Sequence, residues 1–270
     1  MKIGIIAGNR FLPILIAQKI RAREDVPELV AVCFRGETSP AIRRYVDRCY
    51  WLRVGALGAL REVMEKEGLK EWIMAGQINP MHIFRKRNWD IELKKLTKKI
   101  SDFRPHCIFY EIIKYLEKSG IKFLELVPYL EEEMAREGVM NSLELQPETE
   151  EDIQFGLNVV RHFVELDVGQ TAVVKKKSVV ALESLEGTDR TIIRGGSLAG
   201  RNCVIFKFCK KKQDLRFDVP VVGEKTLKYL KRVGASALVL EADRVIILNK
   251  QDFLKKTEKS NIAVIGKRKN

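Results

Sequence analysis

The sequence predicts an α/β protein of two domains, a parallel sheet flanked by helices followed by a smaller α+β domain. Three observations carry this. Over the first 130 residues or so, short β-type runs alternate with amphipathic helical stretches, the pattern of parallel strands with crossovers on the sheet's faces. The alternation lapses in "EEEMAREGVMNSLELQPETEED", which is polar, contains Gly138 and Pro147, and holds no sustained apolar period. Beyond it, apparent hairpins mix with helices. These set an N-terminal domain at 1–134, a linker at 135–147 and a C-terminal domain at 148–270.

Each element has its own signal. "KIGIIAG" is a short β-type run, and "FLPILIAQKIRARE" carries apolar residues at helical spacing with Pro13 in its first turn. "ELVAVCF", "YWLRV" and "EWIMAG" are further buried strands, with the helix "GALGALREVMEKEG" between the last two. "RPHCIFYEIIKYLEKSG" and "IKFLELVPY" continue the rhythm. In the second domain "EEDIQFGLNVVRHFVELD" is a helix, and "QTAVVKKKSVVALES" a hairpin turning at its lysines. "CVIFKFC" is a strand, "EKTLKYLKRVG" a helix closed by Gly234, and "ALVLEADRVIILN" a second hairpin. The ending "GKRKN" is a solvated basic tail.

The chain has 270 residues, 46% of them hydrophobic, enough for one large core or two ordinary ones. Its net charge of +13 favours polyanionic partners: nucleic acid, an anionic membrane surface or a phosphorylated substrate. Charge alone does not choose among them. The five cysteines are scattered and form neither C-x-x-C nor a zinc pattern with the three histidines, which fits a reducing cytosol. No run is long enough to anchor the chain in a bilayer.

Four places offer chemistry. The loop "GIIAGNRFLP" joins a strand to a helix, where backbone amides hold an anion or simply make a tight turn; with only Gly4 and Gly8 it is not a dinucleotide fingerprint. "AGQINP", also at a strand's carboxyl end, presents Gln77 and Asn79 beside Pro80. "ALESLEGTDRTII" runs into a helix that Thr188 or Asp189 can cap, while Glu183, Glu186 and Asp189 together would suit a phosphate and its metal. The most specific is "KFCKKKQDLRFDVPVVG". In an extended strand Asp214, Arg216 and Asp218 share one face and Leu215, Phe217 and Val219 the other, beside the cations Lys207 and Lys210 to Lys212. That row offers hard oxygen ligands for Mg²⁺ and cations for phosphate, though a solvated strand face would look the same. His106 and His162 sit inside helical periods.

Together, "LDVGQTAVVKKKSVVALESLEGTDRTIIRGG", "KKKQDLRFDVPVVGEKTL", "IAGNRFLPILIA" and "VGALGALREVMEKEGLKEWIMAGQINP" resemble the LpxI-type UDP-2,3-diacylglucosamine pyrophosphatases of lipid A biosynthesis. The resemblance covers most of the chain. It departs from the family in a first loop poorer in glycine and in Lys211-Lys212, where a proline usually precedes the Q-D pair. It implies a Rossmann-like N-terminal domain and Mg²⁺-dependent hydrolysis of the substrate's pyrophosphate to UMP and 2,3-diacylglucosamine 1-phosphate.

The family's essential aspartate maps to Asp214 or Asp218. On this reading Asp214 and Asp218 hold Mg²⁺, and Arg216 with Lys207 grips nonbridging oxygens. Thr188 and Asp189 orient the diphosphate, Gln170 bonds the substrate, and Gly8, Asn9 and Gln77 are lesser contacts. The acyl chains need an apolar cleft. The protein would be cytoplasmic, bound peripherally to the anionic inner membrane, with a homodimer left open and no nucleic-acid partner.

Two rivals stand beside this. A dinucleotide-dependent oxidoreductase lacks its glycine fingerprint here and leaves the aspartate row idle. A nucleic-acid-binding protein would interleave lysines with aromatics, whereas the 8% aromatic residues fall mostly at core positions.

Overall fold

The computed structural model describes residues 2–23, 28–79, 82, 86–98, 100, 105–211 and 213–269. Pro80 and Lys212, and the side chain of His106, lie outside what is described. The chain divides into two compact units, Met1–Leu130 with Leu215–Asp218, and Glu131–Asp214 with Val219–Asn270. They share the chain almost equally, so the second is not the smaller one expected.

The first unit runs β1 (Lys2–Ala7), α1 (Leu12–Arg21), β2 (Glu28–Phe34), β3 (Arg48–Leu52), α2 (Leu57–Glu67), β4 (Glu71–Ala75), α3 (Ile91–Thr97), α4 (Pro105–Glu117) and β5 (Lys122–Leu124). Its sheet has the order β3-β2-β1-β4-β5 and is parallel throughout. β1 and β2 are unbroken apolar runs because helices cover both faces of the central strands. The chain steps outward from β1 to β3, then resumes on the other side of β1 with β4. That reversal makes the β1/β4 edge the place where an open parallel sheet takes ligands.

The second unit runs β6 (Gly138–Val139), α5 (Pro147–Glu165), β7 (Thr171–Lys175), β8 (Ser178–Leu182), α6 (Thr188–Ala199), β9 (Val204–Lys207), β10 (Val221–Val222), α7 (Glu224–Val233), β11 (Ala237–Glu241), β12 (Ile246–Ile247), α8 (Lys250–Glu258) and β13 (Ala263–Lys267). A six-stranded mixed sheet has the order β6-β13-β11-β9-β7-β8, its centre β9, β11 and β13 parallel. Buried clusters pack on both faces, one around Phe206 and Val239, the other around Ile205 and Leu238. The β7–β8 hairpin turns at the lysines as predicted. Lys176 and Lys177 both have left-handed φ, 48° and 53°, and the buried Asp152 carboxylate accepts both of their amides, at 2.9 and 2.6 Å.

Three expectations fail here for physical reasons. "ALVLEADRVIILN" is not a hairpin: β11 sits at the sheet's centre, and β12 pairs instead with β10 in a separate two-stranded parallel sheet. The unbroken burial of β11 is the mark of a central parallel strand. "GKRKN" is not all tail, since Gly266 and Lys267 complete β13. Within 135–147, β6 pairs with β13, and the Asn141 side chain bonds Thr257 Oγ1, the Ile262 carbonyl and the Val264 amide. That stretch is therefore built into the second unit.

Candidate active site

In the second unit the candidate side chains gather at the carboxyl edge of the mixed sheet. Lys207 ends β9 and is only 5% exposed. A buried ammonium must be hydrogen-bonded to be tolerated, and Lys207 Nζ donates to Thr188 Oγ1 at 2.8 Å. Thr171, the register partner of Lys207 on β7, donates to the same oxygen at 3.1 Å. Thr188 Oγ1 in turn donates to Glu183 Oε2 at 3.2 Å. One hydroxyl has one donor and two acceptor positions, so these three bonds fill it and fix a Lys207–Thr188–Glu183 chain. Gly169 makes room for it: a Cβ there would stand 2.2 Å from the Glu183 carbonyl oxygen.

After Lys207 the chain leaves the sheet. Phe208 N still bonds the Gln170 carbonyl at 2.9 Å, but Cys209 N is taken at 2.6 Å by the carboxylate of Glu241, at the end of neighbouring β11. Glu241 is 5% exposed, and burial pushes its carboxyl above the usual range despite that amide. The Gln170 and Gln213 side chains meet at 3.4 Å, and Gln213 Oε1 accepts the Lys210 amide at 2.9 Å.

The "QDLRFDVP" stretch is consequently not an extended strand. Its ladder ends at Phe208, and Leu215, Arg216 and Phe217 form a turn. The predicted sharing of one face by Asp214, Arg216 and Asp218 does not hold. Arg216 Nη1 instead bonds Glu117 Oε1 at 2.8 Å, and Phe217 packs on Phe109 with ring centroids 6.1 Å apart, both within the first unit. Asp214 and Asp218 are half-buried.

The carboxylates at the start of α6 do not converge. Glu186 pairs with Arg194 at 2.5 Å, which lowers its pKa, and Asp189 pairs with Lys225 of α7 at 2.6 Å. The cap is also different: Gly187 occupies the N-cap position with no side-chain cap bond, so neither Thr188 nor Asp189 caps α6. Among the described residues no three His, Cys, Asp or Glu side chains gather into a metal-holding group. Asp214 and Asp218 each carry hard oxygen donors, the kind Mg²⁺ takes singly or in pairs while completing its shell with phosphate oxygens and water, so the chemistry of either residue suits that ion.

In the first unit, Gly8, Asn9 and Gln77 are brought together at the β1/β4 edge. Gly8 N bonds the Ala75 carbonyl at 2.8 Å and Asn9 N the Gln77 carbonyl at 2.6 Å. A Cβ on Gly8 would stand 2.4 Å from that Gln77 oxygen, so glycine is required by the close approach. The loops lock each other, and two of the first loop's backbone amides are already used. Asn9 Nδ2 donates to Glu37 Oε2 at 2.7 Å, the Asn79 amide reaches the same oxygen at 3.1 Å, and His82 Nε2 meets Glu37 Oε1 at 2.9 Å. Beside them lies an apolar cavity walled by Ile6, Phe34, Leu60, Met74, Trp89 and Phe109, with Asn79 and His82 at its polar side.

Of the residues singled out from the sequence, the structure brings Lys207 and Thr188 together and sets Gln170 against Gln213, while Thr171, Glu37, His82 and Glu241 join these clusters without having been singled out. Thr171 was legible in principle, one residue beyond Gln170; the other three come to their places only through strand order.

Family models agree with this architecture. The LpxI N-terminal domain matches residues 2–132 and the LpxI C-terminal domain residues 136–265. The chain belongs to the LpxI family. A relative in Caulobacter vibrioides, UDP-2,3-diacylglucosamine pyrophosphatase LpxI, is 26% identical over 275 residues, covering 98% of this chain and 97% of that protein. The LpxI C-terminal match takes in the Lys207 chain and the loop of Asp214 and Asp218, and the N-terminal match the Glu37 cluster.

Proposed function

We propose that the protein hydrolyses the pyrophosphate of UDP-2,3-diacylglucosamine, giving UMP and 2,3-diacylglucosamine 1-phosphate. One observation carries the reading: both LpxI domains are present, in order, over nearly the whole chain. Water attacks a phosphorus of the UDP group. Lys207, fixed by Thr188 and Glu183, sets a buried positive charge at the sheet edge, where it stabilises a phosphate more strongly than a solvated lysine would. Arg216, already tethered to Glu117, presents its planar guanidinium to a nonbridging oxygen. Asp214, Asp218 or both would hold Mg²⁺, which supplies neutralisation of the developing negative charge when bound. Gln170 hydrogen-bonds the substrate.

The apolar cavity of the first unit suits an acyl chain. No helix among the described residues is long and apolar enough to cross a membrane. The surplus of +13 supports a cytoplasmic enzyme that meets its lipid at an anionic bilayer surface, each nearby basic residue contributing about 1 kcal/mol at most.

The deciding experiment incubates the purified full chain with UDP-2,3-diacylglucosamine and follows UMP. Release that stops in EDTA and returns with Mg²⁺ is expected. No UMP under any condition overturns the reading, and full release in chelator removes the metal from it.

A further inference from the structure

The polar cluster beside the first unit's cavity carries unspent hydrogen-bonding capacity of one kind. The Glu37 carboxylate only accepts, so Asn9 turns its NH₂ toward it, which leaves Asn9 Oδ1 to accept elsewhere, and a neutral His82 carries its proton on Nε2, which leaves Nδ1 an acceptor. Both leftover atoms, Asn9 Oδ1 and His82 Nδ1, are buried and have no partner among the described residues. Buried polar atoms without partners are rare, and here two occur on side chains that share one carboxylate. His82 is also locked: its amide bonds the Asn79 carbonyl at 3.0 Å, and Trp89 Nε1 donates to its carbonyl at 3.3 Å. Trp89 and His82 are both on the cavity wall.

We propose that His82 and Asn9, held by Glu37, form a subsite for a neutral donor, the hydroxyl or amide N–H of an acylated sugar whose hydrocarbon fills the adjoining cavity. The acylated-sugar identity rests on the function proposed above; the demand for a donor rests on the geometry alone. Two acceptors set over a carboxylate repel phosphate, whose oxygens only accept. An apolar wall beside them selects a molecule with hydrocarbon next to its hydroxyl or amide.

The test is calorimetric titration of the full chain with two probes, 2,3-diacylglucosamine 1-phosphate and a free fatty acid of the same chain length. His82→Phe keeps the ring volume and removes the acceptor. It is expected to weaken the sugar lipid about tenfold, one buried hydrogen bond, and to leave the fatty acid unchanged. His82→Gln, whose amide can face Glu37 and present its oxygen outward, keeps most of the affinity, and circular dichroism checks that both variants fold.

Equal loss of both probes, unchanged binding of the sugar lipid by His82→Phe, or no binding of either lipid by the wild type overturns the subsite. UMP release in the same preparations separates the two ideas. Selective lipid loss in a protein that releases no UMP retires the pyrophosphatase reading and keeps the subsite. UMP release with binding indifferent to His82 does the reverse.

Discussion

At the β1/β4 edge of the first unit's sheet, the buried carboxylate of Glu37 gathers three donors and leaves two buried acceptors without partners among the described residues. At the corresponding edge of the second, the ammonium of Lys207 is buried on a hydroxyl relay to Glu183, and a further carboxylate, Glu241, grips the backbone where the aspartate loop departs. Both edges lie at the carboxyl ends of parallel strands, a position that suits ligands whatever their charge. The side chains decide what each edge takes. On the readings proposed above, one takes neutral donors next to hydrocarbon and the other the negative oxygens of phosphate.

The contrast breaks most easily at the aspartate loop. Asp214→Ala and Asp218→Ala are expected to lower turnover by several orders of magnitude where the carboxylate acts mainly in the transition state, with lipid binding largely kept. Steady-state kinetics on both variants, with circular dichroism as a folding check, measures this. Turnover near wild type in both would take the aspartate loop out of the chemistry and leave Lys207 to be tested by itself.

Lys207→Met tests the charge itself. It keeps the chain's length and apolar stem but deletes the cation, so turnover is expected to fall about a hundredfold, the range for one electrostatic contact to a developing anion. UMP binding should weaken while fatty-acid binding to the first unit stays as it was. If both ligands weaken together, the two edges are not specialised as described.

How far the sequence showed this depends on how local each signal is. The α/β alternation was legible because buried strands are continuous apolar runs, as in "GIIA" and "LVAVCF", and a two-residue lysine turn is enough to close a hairpin. Lys207, Thr188 and Gln170 could be singled out from the sequence as candidates because each lies at the end of a recognisable element. Glu37 and His82 were not, being 45 residues apart and joined only because β2 and β4 flank β1. The aspartate loop was misread as a strand for a related reason. Alternating charged and apolar residues also arise in a turn, where Phe217 reaches an aromatic neighbour and Arg216 a carboxylate. Period two says which residues differ in environment, and it does not supply the neighbouring strand that a ladder needs.

Glu241 sharpens the comparison through stability. Burial raises its folded-state pKa, so the folded protein holds that proton to higher pH than the unfolded chain does. Stability from this group is complete below its ordinary value of 4.5 and is lost as pH rises through the folded value. Glu241→Gln can still accept the Cys209 amide but carries no charge to bury. It should therefore melt a few degrees above the wild type at neutral pH, with the gap closing on acidification below about 4.5. Thermal melts across pH measure it, and a gap that does not change with pH would show that the carboxylate is not charged at a cost in the folded protein.

The smallest effect is expected at Asp189, and its smallness is informative. The sequence placed this residue with the diphosphate, but its carboxylate is bonded to Lys225 of α7, whose side chain is 56% exposed. A partly exposed ion pair contributes about 0–1 kcal/mol, and an acidic residue in a helix's first turn adds a few tenths more through the dipole. Asp189→Asn keeps the shape and removes both terms, so it should cost about 1 kcal/mol at most and leave kcat and KM within about twofold of the wild type. Salt supplies the control: raising it screens the exposed pair, so the stability difference between variant and wild type should shrink at high ionic strength. A loss of turnover by orders of magnitude, insensitive to salt, would instead put Asp189 among the groups that touch phosphate. It would extend the second edge from the Lys207 chain along the first turn of α6.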